Sequence, residues 1–102
     1  ELGLVVGKAH VDGGFVVDVR EPAEYVDAHV PGAVLIPMGQ LPARLGEIPK
    51  DQPVYVICAS GNRSGAMTAF LMRADYDAYS VAGGTKGWIG LGRPVVAGTA
   101  AR

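Results

Sequence analysis

The sequence holds a single cysteine, Cys58, among its 102 residues. A lone cysteine can neither close an internal disulfide nor supply a multi-cysteine zinc site. It is either a small buried residue or a reactive thiol. No apolar run approaches the roughly 18–20 residues that a membrane-crossing helix needs, so no membrane partner is expected. A basic excess is also missing. Lys plus Arg number 9 against 10 for Asp plus Glu, a formal net charge of −1. General nucleic-acid binders normally carry such an excess, so nucleic acid is not an expected partner. The two histidines, His10 and His29, lie far from each other and from Cys58. They make no metal signature, and neither a metal nor a cofactor is expected. Internal repeats, low-complexity tracts and linkers are absent as well.

What is present suits one packed domain over residues 1–102. The chain is 49% hydrophobic and 19% charged, unlike the weakly hydrophobic, highly charged compositions that stay disordered. About 100 residues is one domain's length. Glu1 is not a start methionine, so the chain is expected to follow removed or omitted residues. That leaves a cleaved signal peptide open beside the expected cytoplasmic location.

Short apolar runs alternate with amphipathic stretches, and Gly and Pro mark the joins. Phe15-Val16-Val17-Asp18-Val19 is β-branched and short, which predicts a strand. Pro22 suits the first turn of a helix that runs on through Ala23-Glu24-Tyr25-Val26. Pro31-Gly32 ends it. Ala33-Val34-Leu35-Ile36 reads as a second strand, and Leu41, Leu45 and Ile48 recur at helical spacing between Pro42 and Pro49. Val54-Tyr55-Val56-Ile57-Cys58 is the strongest strand signal. Met67, Phe70, Leu71 and Ala74 share one helix face. Ala78-Tyr79-Ser80-Val81 predicts a last short strand, and a short helix is expected around Trp88. Leu4-Val5-Val6 is a further candidate strand. Strands apolar along their length, alternating with helices, predict an α/β domain whose parallel sheet is covered on both faces.

Open α/β sheets bind ligands beyond the carboxyl ends of their strands. Cys58 lies at that end of the most apolar strand, followed by Ala59-Ser60-Gly61-Asn62-Arg63, with Ser64 expected to open the next helix. Backbone N–H groups there, with the positive end of a helix dipole, would form an anion-binding concavity. Gly61 permits a tight turn and Asn62 tolerates unusual φ values. Arg63 adds a fixed positive charge. Such surroundings can lower a cysteine pKa from about 8.5 to roughly 3.5–7.5. Free cysteines are usually buried core residues, but this setting favours a nucleophile activated by loop dipoles.

Cys58-Ala59-Ser60-Gly61-Asn62-Arg63-Ser64 resembles the active-site loop of rhodanese-like sulfurtransferases. Three further segments resemble that family in the same order. They are Asp18-Val19-Arg20-Glu21-Pro22-Ala23-Glu24-Tyr25, then His29-Val30-Pro31-Gly32-Ala33 with Ala28 in place of a usual glycine, and Gly83-Gly84 followed by Trp88. Together they span about residues 15–95. The resemblance implies a five-stranded parallel sheet with helices on both faces. It also implies a Cys58 persulfide, formed from a sulfane-sulfur donor and discharged to a nucleophilic acceptor. Backbone N–H groups of residues 59–63 would cradle the persulfide or an oxyanion, and Arg63, Ser60 and Ser64 would help bind a small anionic donor such as thiosulfate. The acceptor would be cyanide, a thiol or a protein. A mercaptopyruvate-like compound, a polysulfide or a partner's persulfide are the other donor classes left open.

Loop length bears on the chemistry. Related cysteine phosphatases use a Cys-x5-Arg loop, whereas Cys58 to Arg63 is Cys-x4-Arg, which the resemblance ties to sulfur transfer. Arsenate reduction would need further thiols from outside. A non-catalytic interaction or sulfide-sensing module is the main alternative, and the intact Cys58 and Arg63 weigh against it. Asp18 and Arg20 are expected to form a structural pair, since buried charges are usually paired. His29 is a candidate proton carrier, as histidines in general are, yet its place in a turn motif favours a structural hydrogen bond. His10 is expected at the surface, and Met67 and Met72 are ordinary helix residues. Gly83-Gly84-Thr85-Lys86 is not a P-loop. Gly90-Leu91-Gly92 lacks the third glycine of a dinucleotide fingerprint. Trp88 is expected to pack the last helix.

Overall fold

The β-branched runs become strands in the computed structural model, which describes residues 14–60, 62–81 and 83–100. β1 (Phe15–Asp18), β2 (Val34–Leu35), β3 (Val54–Ile57) and β4 (Ala78–Ser80) form one sheet in the order β2-β1-β3-β4. Every neighbouring pair is parallel, with Val17 aligned to Val34 and Val56, and Val56 to Ser80. The α/β class is therefore as the sequence implies. Four strands lie among the described residues. The further strand expected at Leu4-Val5-Val6 lies outside them, as does His10.

Period-two alternation sends successive strand residues to opposite faces of the sheet, and both faces are buried. On one face, Val16, Tyr55 and Ile57 pack with Tyr25 of α1 (Pro22–Asp27) and Trp88 of α3 (Gly84–Gly90). On the other, Val17, Val54, Val56 and Cys58 pack with Leu41, Ile48 and Leu71, the last from α2 (Asn62–Arg73). Val17, Val54, Val56 and Ile57 are fully buried, and burying each such side chain contributes about 1.5–3 kcal/mol. α1 starts as its sequence directs. Pro22 fills its first position, and Glu21 and Glu24 form a reciprocal capping box.

Two expectations about helices change. The Leu41, Leu45, Ile48 spacing does not yield an α-helix. Met38–Gln40 and Pro42–Glu47 are 3-10 helices, and Arg44 at φ −115°, ψ 21° interrupts the second. Gly46 inside the stretch and Pro49 just past it both disfavour a continued α-helix. The Tyr76 hydroxyl braces the end of the stretch, donating to the carbonyls of Leu45 and Ile48 at 3.0 and 3.2 Å. α2 begins at Asn62 rather than Ser64, so Asn62 and Arg63 belong to its first turn. None of the described helices is long and apolar enough to cross a membrane.

The connections from β1 to β2 and from β3 to β4 run toward opposite edges of the sheet. The carboxyl ends of β1 and β3 thus flank the reversal of strand order. Crevices of open α/β sheets form at such a reversal. The hydrogen bond from the Val19 N–H to the Ile57 carbonyl, 3.0 Å long, carries the β1–β3 pairing to its brink.

Candidate active site

Cys58 is the first residue past β3. Its side chain lies on the α2 side of the sheet and is only 1% exposed. The thiol donates to Ser64 Oγ at 3.4 Å, and Ser64 Oγ lies 2.8 Å from Ser80 Oγ at the end of β4. Ser64, itself fully buried, thereby joins the Cys58 thiol to a second hydroxyl, from β4. Ser64 belongs to the expected site, whereas Ser80 does not. Only the close approach of β4 to β3 makes Ser80 a neighbour.

Behind the cysteine, α3 fixes the backbone. The N–H groups of Thr85 and Lys86 donate to the carbonyls of Cys58 and Ala59, at 2.8 and 3.0 Å. Gly83 and Gly84 turn the chain with φ of +81° and +58°. A Cβ on Gly84 would stand 2.3 Å from the Cys58 carbonyl oxygen and 2.7 Å from that of Ala59. Only glycine lets the two segments come this close. The glycine pair carries no chemistry as a motif, but its position makes it part of the site's scaffold.

Arg63 is not a bare cation. Its two Nη atoms donate to the two carboxylate oxygens of Glu24 in α1, at 2.7 and 2.9 Å. Glu24 Oε1 also accepts the Glu21 N–H at 3.0 Å. Its carboxyl is pushed down to about 2, chiefly by the Arg63 hydrogen bonds and against the opposing effect of burial. Arg63 is correspondingly raised, first by Glu24, with smaller contributions from the charges of Cys58 and Asp18. Glu24 stands inside a recognised sequence segment, yet nothing local ties it to a residue 39 positions on.

Asp18 and Arg20 form the expected structural pair. Asp18 accepts from the Arg20 backbone N–H, Nε and Nη2 at 2.8–3.1 Å, and Arg20 Nη2 also donates to the Ala28 carbonyl at 2.7 Å. The pair ties the end of β1 to the end of α1. His29 is fully buried and stacked on Tyr25 at 3.6 Å. Its ring nitrogens meet the carbonyls of Tyr25 and Ala100 at 2.7 and 2.8 Å. These contacts are structural, as its turn motif suggests, and none involves the cysteine loop.

Among the other expected site residues, Ala59 is half-buried, Ser60 and Asn62 are exposed, and Gly61 lies outside the described residues. A cavity of about 230 Å³ opens beside the loop, walled by Arg20, Glu24, Ala59, Thr85 and Lys86 among others. A larger apolar cavity of about 300 Å³, between α1 and β2, shares no residue with the loop. Among the described residues, no three His, Cys, Asp or Glu side chains gather as a metal site.

A family model described as the rhodanese-like domain matches residues 6–91. The chain belongs to this family. This rhodanese-like domain is 39% identical over 90 residues to a protein named sulfurtransferase from Allochromatium vinosum, covering 87% of this chain and 84% of that one. It is 38% identical over 72 residues to the thiosulfate sulfurtransferase GlpE of Tolumonas auensis, covering 70% and 68%. It spans about half the length of another relative, the putative sulfur carrier protein YrkF of Bacillus subtilis. The crystal structure of a rhodanese-related protein from Thermoplasma volcanium superposes with a TM-score of 0.80. That protein is 36% identical, and the match covers 85% of this chain and 87% of that one.

Proposed function

We propose that this domain is a rhodanese-type sulfurtransferase that carries a sulfane sulfur on Cys58. The observation that carries the reading is the thiol at the carboxyl end of β3, bonded to Ser64 and adjoining Arg63 in a rhodanese-like chain. Relatives named sulfurtransferase support sulfur transfer as the general chemistry. Ionisation of Cys58 reverses the Ser64 contact. The Ser64 hydroxyl then donates to the sulfur anion while its oxygen accepts from Ser80, and a charge-assisted bond of this kind is stronger than a neutral one.

With thiosulfate as donor, the Cys58 thiolate attacks the outer sulfur. A Cys58 S–S bond forms, the donor's S–S bond breaks, and sulfite leaves with the electron pair. An acceptor thiolate or cyanide then attacks the terminal sulfur of the persulfide. The Cys58 S–S bond breaks and its electrons return to the Cys58 sulfur. Each step conserves charge and needs neither metal nor cofactor. Backbone N–H groups of the loop, with Ser60, Asn62, Arg63 and Ser64, would hold the donor.

The test is turnover with thiosulfate and cyanide beside a Cys58→Ser variant, with mass spectrometry of donor-treated protein. The variant should lose about a thousandfold or more in rate, as loss of a nucleophile typically does. The native chain should gain one sulfur atom on Cys58. Undiminished turnover in Cys58→Ser would overturn the reading.

A further inference from the structure

Arg63 is the one fixed cation within the Cys58–Ser64 segment, and its guanidinium is already bound by a carboxylate. Both Nη atoms are committed to Glu24, in the fork geometry that an incoming oxyanion would itself need. The pair is about one-third exposed on each side, 32% for Arg63 and 35% for Glu24. It is therefore open to exchange with solvent and solutes rather than sealed. Glu24 cannot simply move aside, since Oε1 is also held by the Glu21 N–H within the α1 cap. A donor that captured Arg63 would leave this anchored carboxylate unpaired, on the wall of the cavity beside Ala59.

We propose that Glu24 sets the donor class of the Cys58 site by competing with anionic donors for Arg63. The site would then bind doubly charged donors weakly and favour sulfane sulfur compounds with less charge. This rests on the sulfur-transfer reading above and deepens it. Coulomb interaction scales with the charge on the donor. Removing one negative charge at position 24 should therefore help a dianion about twice as much, in log KM, as a monoanion. Glu24 remains ionised throughout ordinary assay pH, because its carboxyl sits at about 2. It acts here as a specificity-determining residue, not as a reacting group.

The test compares thiosulfate, a dianion, with methanethiosulfonate, a monoanion that delivers its outer sulfur in the same way and releases methanesulfinate. In Glu24→Gln, which keeps the acceptor oxygen for Glu21, the KM for thiosulfate should fall about three- to tenfold, within reach of one partly exposed ion pair. The KM for methanethiosulfonate should fall less, with kcat for both donors little changed. Glu47→Gln, which removes a distant exposed charge paired with Arg44, should move neither KM. A second readout is independent of turnover. Alkylation of the single cysteine by anionic iodoacetate should accelerate in Glu24→Gln relative to neutral iodoacetamide. That gain should vanish when Arg63→Gln is added.

An unchanged reagent ratio in Glu24→Gln overturns the proposal, even where sulfur transfer is robust. A gain that persists without Arg63 also overturns it, since Glu24 would then act by its own field alone. If no donor gives turnover, the sulfur-transfer reading fails, while the alkylation ratio still decides the role of Glu24.

Discussion

At the scale of single residues, charge is arranged in tight pairs, and each pair has a measurable consequence. Glu24 is depressed from an ordinary value of 4.5 to about 2 by its bond to Arg63. A carboxyl lowered on folding contributes stability that is complete above its unfolded pKa and is lost as pH falls through the folded one. The stability difference between the native chain and Glu24→Gln should thus be constant above about pH 5.5 and shrink between about 4.5 and 2. Denaturant titrations across that range check it, and a difference independent of pH would refute it. Asp18 and Arg20 are a deeper case, with exposures of 0% and 6%. Asp18→Asn leaves a guanidinium buried without its counter-charge, so unfolding should cost about 3–5 kcal/mol less. The sequence made Cys58, Arg63 and Ser64 conspicuous because they share one short run after a strand. Glu24 and Ser80 stayed hidden because they are ordinary polar residues, brought to that run only by the packing of α1 and β4.

At the scale of elements, legibility followed the strength of the local signal. β1 and β3 were plain from β-branched runs buried on both sides, and α1 from Pro22 and its capping glutamates. The Pro42–Glu47 stretch departs from the expected helix because apolar spacing alone does not register the cost of Gly46 within it or of Pro49 after it. The start of α2 was placed two residues late, since Gly61-Asn62 reads as turn chemistry although Asn62 is already helical. The junction of α3 with the cysteine loop yields a prediction. Gly84→Ala puts a methyl group 2.3 Å from the Cys58 carbonyl oxygen at a φ of +58°, so the loop or the helix must shift. Iodoacetamide should then react with Cys58 at a rate changed about tenfold or more, given the sensitivity of such sites to displacements of about 1 Å. Circular dichroism should show the fold retained. An unaltered alkylation rate would mean that α3 does not position the thiol.

At the scale of the whole molecule, the chain closes on itself through His29. The residue exchanges backbone hydrogen bonds with Val96 in both directions at 2.9 Å, and its imidazole reaches Ala100. The segment past α3 is thereby pinned to the end of α1. Trp88 adds a second pin, its indole N–H donating to the Pro94 carbonyl at 2.7 Å. His29→Ala should lower stability by about 2 kcal/mol or more, from lost hydrogen bonds and the cavity left behind. Amide exchange should accelerate most around Val96 and Gly98, and uniform acceleration across the sheet would argue against a local clasp. No reading of the sequence could have joined residues some 70 positions apart. The turn motif around His29 signalled a structural role without naming the partner.

The hydrogen bonds from Thr85 and Lys86 to the cysteine peptide also have a bearing on the order of events during synthesis. When β4 leaves the ribosome, Cys58 and the whole of α2 have already been made, but the residues that brace the Cys58 and Ala59 carbonyls have not. A nascent chain therefore passes through an interval in which its only thiol exists without its final setting. The peptide that carries Cys58 is braced only once α3 has emerged, which ties the final setting of the thiol to an element made some 25 residues after it.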